Sequence, residues 1–246
     1  MTRGISYGLD PRQKLDVFAP KHGRAKAVVV FLYGGGWTSG DRRIYKFLGT
    51  ALARRGITTV VPDYRVYPTV RYPAFVEDGA AAIKWTNDNV ARHGGKLSHI
   101  FLMGHSAGAH TAALIALDPQ YLAAQDLERS VIRGVIGLAG PYLFDPIRWA
   151  STKDVFSTVT NADSVRPIKL VRTDAPPMLL LHGERDKTVE SRASTVFGSA
   201  LESMGARQET KLYSVGHLGI VSSFAWPLRW RAQVLDDVDR FIDSCL

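Results

Sequence analysis

Along almost the whole chain, apolar runs of strand length alternate with stretches of helical periodicity. The runs at 27–32, 58–62, 100–104, 131–138, 178–183 and 209–213 are the strand candidates, and most are rich in Val, Ile and Leu at successive positions. Successive apolar residues, without strict alternation, suit strands covered on both faces. Between them, 42–55, 73–93, 106–117, 189–204 and 228–244 carry a helical pattern. Pro73 suits a first helical turn, and Gly94-Gly95 suits a stop after the last one. Near the start, Leu15-Asp16-Val17-Phe18 alternates like a half-exposed edge strand. This order predicts an α/β fold, a mostly parallel twisted sheet with helices on both faces and right-handed crossovers. Such sheets place their sites at the carboxyl ends of the strands. One stretch resists the pattern. Residues 142–175 form a long connection with Phe144, Trp149 and Phe156 scattered through it, and connections of this length are uncommon unless they act as lids or binding loops.

Composition narrows the class. With 246 residues, 46% hydrophobic and 22% charged, the chain fits one globular domain, 1–246, around one sizeable core. No apolar run reaches the ~18 residues of a membrane span. The first ten residues lack a basic patch followed by an apolar stretch, so no secretory signal is expected. The single cysteine, Cys245, has no disulfide or metal-ligand partner in the sequence, which points to a cytoplasmic location. The net charge of +8 is localised: residues 1–60 hold eleven Lys/Arg against three Asp/Glu, and the remainder holds twenty of each. The basic residues come as pairs, Arg42-Arg43 and Arg54-Arg55, and no stacking aromatics alternate with them as a single-strand nucleic-acid binder requires. The excess reads as a solvated basic face, with attraction for anionic substrates or surfaces as the alternative. A nucleic-acid partner is therefore not expected, and a homodimer stays open.

The candidate chemistry follows three of the expected strands. Ile100-Phe101-Leu102-Met103 runs into Gly104-His105-Ser106-Ala107-Gly108 and on into a helix former, Thr111-Ala112-Ala113-Leu114. This is G-x-S-x-G in its required context of strand, sharp turn and helix. The turn exposes the Ser106 hydroxyl above the sheet, at a helix N-terminus whose free N–H groups and partial positive charge suit an oxyanion. His105 is expected to turn away from the nucleophile into packing or hydrogen bonding, as is His110. Val28–Leu32 leads to Tyr33-Gly34-Gly35-Gly36-Trp37. The lysine and hydroxyl of a phosphate loop are missing. An oxyanion hole fits better, with the amides of Gly35 and Gly36 joining that of Ala107.

After 178–181 comes His182-Gly183-Glu184-Arg185-Asp186, and after 211–213 comes Ser214-Val215-Gly216-His217-Leu218-Gly219. His217, in a loop between glycines, reads as the general base. Asp186 is its carboxylate partner, with Glu184 as the competitor and a helix cap near Val189 as the alternative role for Asp186. The order Ser, Asp, His along the chain is that of one known triad arrangement. His22, His93, His99 and His182 follow no such logic, and no metal-ligand spacing is present, so neither metal nor cofactor is expected.

Taken together, Tyr33–Trp37, Pro62-Asp63-Tyr64-Arg65, Tyr72-Pro73-Ala74, Gly104–Gly108, His182-Gly183 with Asp186, and Gly216-His217 resemble the α/β-hydrolase carboxylesterases. The nearest branches are the hormone-sensitive-lipase-like esterases, the feruloyl and acetyl-xylan-type esterases and the kynurenine formamidases. The resemblance runs from about Leu15 to Phe241. It implies an α/β-hydrolase fold and a serine hydrolase acting on small esters through an acyl-enzyme, with formamide hydrolysis as the enzymatic alternative. A non-catalytic binding protein on the same scaffold is the alternative of another class. Two departures stand out. The oxyanion motif of these families usually opens with histidine, and here it opens with Tyr33. About 26 residues precede the first parallel strand, so the long N-terminal cap of the lipase-like group is not expected. Any cover over the site must come from 142–175 and from Phe224-Ala225-Trp226. Trp37, Phe144, Trp149 and Leu218 are the candidate pocket residues, and the aromatics suggest short- to medium-chain acyl groups.

Overall fold

The computed structural model describes residues 1–94 and 100–246. Its strands are β1 (Thr2–Ser6), β2 (Lys14–Phe18), β3 (Ala27–Leu32), β4 (Ile57–Pro62), β5 (Ile100–His105), β6 (Ile132–Leu138), β7 (Met178–Gly183) and β8 (Gln208–Tyr213). They form an eight-stranded sheet in the order β1-β2-β4-β3-β5-β6-β7-β8. Pairings β1–β2 and β2–β4 are antiparallel, and the pairings from β4 through β8 are parallel. The helices are α1 (Lys46–Ala53), α2 (Ala74–Asn89), α3 (Ala107–Leu117), α4 (Pro119–Ala123), α5 (Arg192–Ser203), α6 (His217–Ser222) and α7 (Val234–Asp243).

Burial explains the uninterrupted apolar runs. Every residue of β3, β4, β5 and β7 is buried, and β6 exposes only Arg133. Edge strand β8 is partly exposed throughout, which is why its sequence is the most polar of the parallel set. Helix α7 places Val234, Leu235, Val238, Phe241 and Ile242 on one buried face at helical spacing. Helix α3 is different, because all eleven of its residues are buried. It packs on β5 and β6 and is covered by α2 and by the turn at Pro167–Lys169. The helix that follows Ser106 is thus clamped from all sides.

Several expectations need correction. Strand β2 is not a half-exposed edge. It is covered by β1, a strand with no apolar alternation of its own, and four of its five residues are buried. The polar position Asp16 is answered by partners and not by solvent: it accepts from the Gly4 N–H and from Arg42 Nε, both at 2.9 Å. The helical stretch 42–55 divides into a 3₁₀ turn, Arg42–Tyr45, capped by Asp41, and then α1. The stretch 73–93 ends in a 3₁₀ turn, Val90–His93, closed by Gly94 at φ 79°. Helix α5 begins at Arg192, not near 189, and Trp226–Arg231 is a 3₁₀ turn separate from α7. Gly95 and His99, singled out from the sequence, lie outside the described residues.

The long connection 142–175 is folded into the body of the molecule. Tyr142, Val155, Phe156 and Val165 are buried, and 3₁₀ turns form at Ala162–Val165 and Pro167–Lys169. His110 of α3 pins it, donating from Nε2 to the Val165 carbonyl at 2.8 Å. Because Leu114 lies fully buried in the middle of α3, Leu114→Ala should cost about 2–5 kcal/mol of stability. Urea denaturation of the two proteins measures the difference.

Candidate active site

The site is built on a strained serine. Ser106 sits between β5 and α3 at φ 53°, ψ −121°, a conformation that costs a non-glycine residue roughly 1–3 kcal/mol and persists only where the surroundings enforce it. Its N–H donates to the Leu138 carbonyl at the end of β6, at 2.8 Å. The two flanking glycines are required by contact. A Cβ on Gly104 would lie 2.2 Å from the Gly108 carbonyl oxygen, and one on Gly108 would lie 2.1 Å from that of Leu32. The turn is thereby pressed between β3 and its own helix.

His217 and Asp186 follow the two strands beyond β6. His217 accepts the Ser106 hydroxyl at Nε2, with the two atoms 2.9 Å apart, and its Nδ1–H donates to Asp186 Oδ2 at 2.6 Å. His217 is not in an open loop; it is the first residue of α6, so its backbone is set by that helix. Asp186 follows β7 with its carboxylate fully buried. Both readings of this residue hold at once. Its Oδ1 accepts from the Thr188 and Val189 N–H groups at 2.8 and 2.9 Å, while Oδ2 faces the imidazole. Glu184 instead accepts from the Ser214 hydroxyl on the surface.

Two further histidines surround this pair. His105 turns its ring beside that of His217, with centroids 4.9 Å apart, and its Nε2–H donates to the His217 carbonyl at 3.1 Å. The sequence pattern gives His182 no role, yet its buried ring lies against Asp186. Its Nε2 is 2.9 Å from the Val189 carbonyl and 3.2 Å from Asp186 Oδ2, while Nδ1 accepts from the Ser194 hydroxyl at 2.7 Å. The available signal was its place at the end of β7, four residues before Asp186.

The glycine loop lies alongside Ser106. A Cβ on Gly34 would come within 3.0 Å of Ser106 Cβ. Gly35 and Gly36 have φ of 133° and 59°, and the Gly35 carbonyl is turned away to accept from Thr38 and Ser39 N–H groups. Among the described residues the amides of Gly35, Gly36 and Ala107 have no acceptor. The bracing absent a leading histidine comes from Tyr33. Its hydroxyl donates to Asp63 Oδ1 at 2.8 Å, its carbonyl accepts from the Tyr64 hydroxyl at 2.7 Å, and its ring stacks on Tyr45 and Tyr64.

The candidate pocket residues divide. Trp37 is buried, donates from Nε1 to Thr111 Oγ1 at 3.1 Å and stacks on Phe144. Phe144 is half-buried and meets Trp149 edge-on, so the three rings step from core to surface. Trp149 and Leu218 are exposed.

Comparison with known proteins fits this geometry. The BD-FAE family profile matches residues 15–201. The chain belongs to the BD-FAE family. It is 30% identical over 234 residues to the isoprenylcysteine alpha-carbonyl methylesterase of Arabidopsis thaliana, covering 86% of this chain and 55% of that protein. It is 32% identical over 226 residues to Esterase LipC of Mycobacterium tuberculosis, covering 84% and 56%. The chain thus spans about half the length of the curated relatives it matches. Among solved structures, esterase 2 of Thermogutta terrifontis superposes with a TM-score of 0.82 at 25% identity, over 97% of this chain and 92% of that one. The fold is that of the α/β hydrolases.

In this BD-FAE chain the electrostatics divide by burial. Burial of Asp186 raises its carboxyl, but hydrogen bonds from Val189, His217 and Thr188 outweigh it, and the group ends below the usual range. Burial, with the nearby His217, pushes His105 down to about 4, and burial pushes His110 down to about 4. Both are therefore neutral in the folded protein at pH 6.5, where an unfolded histidine is already about half protonated. As pH falls from about 6.5 to about 4 the unfolded chain binds more protons, so each of these histidines removes about 1.4 kcal/mol of stability per pH unit. Urea midpoints should drop steadily over this window, and His110→Gln should roughly halve the slope that the pair contributes.

Proposed function

We propose that this BD-FAE chain is a serine carboxylesterase hydrolysing short- to medium-chain esters through an acyl-enzyme on Ser106. The observation that carries the reading is the unbroken relay from the Ser106 hydroxyl through His217 to Asp186, at 2.9 and 2.6 Å. Ser106 Oγ attacks the ester carbonyl as its proton passes to His217 Nε2, and Asp186 holds the imidazole tautomer and stabilises the imidazolium. The oxyanion is held by the amides of Gly35, Gly36 and Ala107, each worth roughly 3–4 kcal/mol in such a site. His217 returns its proton to the departing alkoxide, releasing the alcohol. Water, deprotonated by the same imidazole, then cleaves the acyl-enzyme and frees the carboxylic acid. No cofactor enters.

The pocket reading rests on the aromatic series Trp37, Phe144 and Trp149 beside Leu218, with 142–175 as the lining segment of a single domain. A short acyl group is in keeping with the propionate bound in the Thermogutta esterase, and attack on phosphorus with that enzyme's phosphorylation by paraoxon. A cytoplasmic location is supported by the lone cysteine.

Ser106→Ala and His217→Ala should each lower kcat on a nitrophenyl ester by on the order of 10⁶, and the double variant should lose little more. Labelling by a fluorophosphonate should vanish in Ser106→Ala. On a nitrophenyl ester series, kcat/KM should peak at acetate to hexanoate, and a maximum at palmitate would overturn the pocket assignment.

A further inference from the structure

One cavity of the molecule lies away from the relay. It is an open groove of about 770 Å³ bordered by Met1, the segment 18–22, and Lys46, Thr50, Ala53, Arg54 and Gly56. Its charged lining is Lys21, Lys46 and Arg54, with His22 beside them and no carboxylate. Among the described residues these three cations form no ion pair, whereas Lys26, Arg42, Arg43 and Arg55 nearby all do. Three of the eleven cations of residues 1–60 thus gather here without an ion-pair partner among the described residues.

A second feature adjoins it. Arg55 pairs with Asp236 and Asp239, tying the end of α1 to the start of α7. This brings the 3₁₀ turn Trp226–Arg231 to the same face, with Arg229 near enough to Arg54 and Arg55 for their charge to depress its own pKa, after burial as the main cause. The turn exposes Trp226 and Trp230 by 76% and 80%. Each indole carries an arginine, Arg229 at 5.7 Å and Arg231 at 5.5 Å from the ring centroid. Exposed indoles beside clustered unpaired cations are the combination that membrane interfaces select, since indole settles at the headgroup level and cations meet anionic headgroups. A single-stranded nucleic acid is favoured less, because Phe18 inside the groove is buried and each exposed indole already has an arginine over its ring.

We propose that this face docks on an anionic lipid bilayer, with Lys21, Lys46, Arg54, Arg229 and Arg231 meeting the headgroups and Trp226 and Trp230 inserting between them. The orientation follows from the fold. Segment 18–22, Arg54 and Gly56 lie at the amino ends of the parallel strands, while Ser106, Asp186 and His217 follow the carboxyl ends. Docking leaves the relay facing the aqueous side, open to water-soluble esters. It is independent of the esterase reading.

The test is co-sedimentation of the full chain carrying Ser106→Ala with vesicles of phosphatidylcholine alone or with about a quarter phosphatidylglycerol. Binding is expected to the anionic vesicles only, to weaken on raising salt, and to be accompanied by a blue shift of tryptophan emission. Each cation near such a surface is worth roughly fivefold in partitioning, so Lys21→Glu/Lys46→Glu/Arg54→Glu should lower it by on the order of 10² or more. Trp226→Ala/Trp230→Ala should weaken binding and abolish the blue shift. In the wild-type background both variants should keep the parent's activity on a soluble ester, which verifies folding. No binding to anionic vesicles, equal binding to neutral ones, or unchanged binding in the charge-reversed variant would overturn the proposal. So would charge-dependent binding to a single-stranded oligonucleotide with none to vesicles.

Discussion

Ser106 stands at φ 53° because three pieces of backbone leave it no alternative: the end of β6 holds its N–H, the Gly108 carbonyl crowds Gly104, and the Leu32 carbonyl crowds Gly108. Everything else in the site is arranged around that one enforced conformation. A helix free to shift would relax the turn, since the strain is worth a sizeable part of a typical domain's net stability. Complete burial of α3 removes that freedom. The long connection 142–175 takes part in this, because its 3₁₀ turns cover α3 and its Val165 carbonyl is bonded to His110. A segment whose length suggested a lid is thereby a structural brace along part of its course, and the aromatic series from Trp37 to Trp149 runs from the core to the surface.

The acid end of the relay shows how burial and hydrogen bonding are balanced. A fully buried carboxylate is costly unless its lone pairs are answered. Asp186 is answered on both oxygens, by two backbone N–H groups, by His217 and by the buried imidazole of His182. Burial lowers the pKa of His182, and Ser194 anchors its ring. The same economy appears at the glycine loop, where Tyr33 replaces the expected histidine. Its phenol reaches Asp63, which also receives Arg42, so the loop is tied into the buried ionic network that includes Asp16 of β2. A polar residue in an otherwise apolar strand is thus part of what holds the loop in place beside the serine.

The two ends of the parallel sheet differ in character. The carboxyl ends gather the relay, the glycine loop and the aromatic series. The amino ends, with the adjoining turn at Trp226–Arg231, gather unpaired cations and exposed indoles. On the proposed readings, one end of the sheet docks and the other carries the chemistry.

Local order along the chain determined the elements whose residues are buried on all sides or sit at obligatory turns. The strands β3 to β7, the G-x-S-x-G turn, the glycine loop and the order of Ser106, Asp186 and His217 were all legible, because backbone sterics and two-sided burial leave direct marks on residue type. The tertiary structure alone decided what depends on a partner distant in sequence. Strand β1 exists through its pairing with β2. Asp16 is buried because Arg42 and the Gly4 N–H meet it. His182 touches the acid because β7 and the turn after it fold back together. The turn Trp226–Arg231 lies beside the groove cations because α1 is tied to α7. Pairwise contacts across long separations carry no periodicity, so no reading of the chain one segment at a time reveals them.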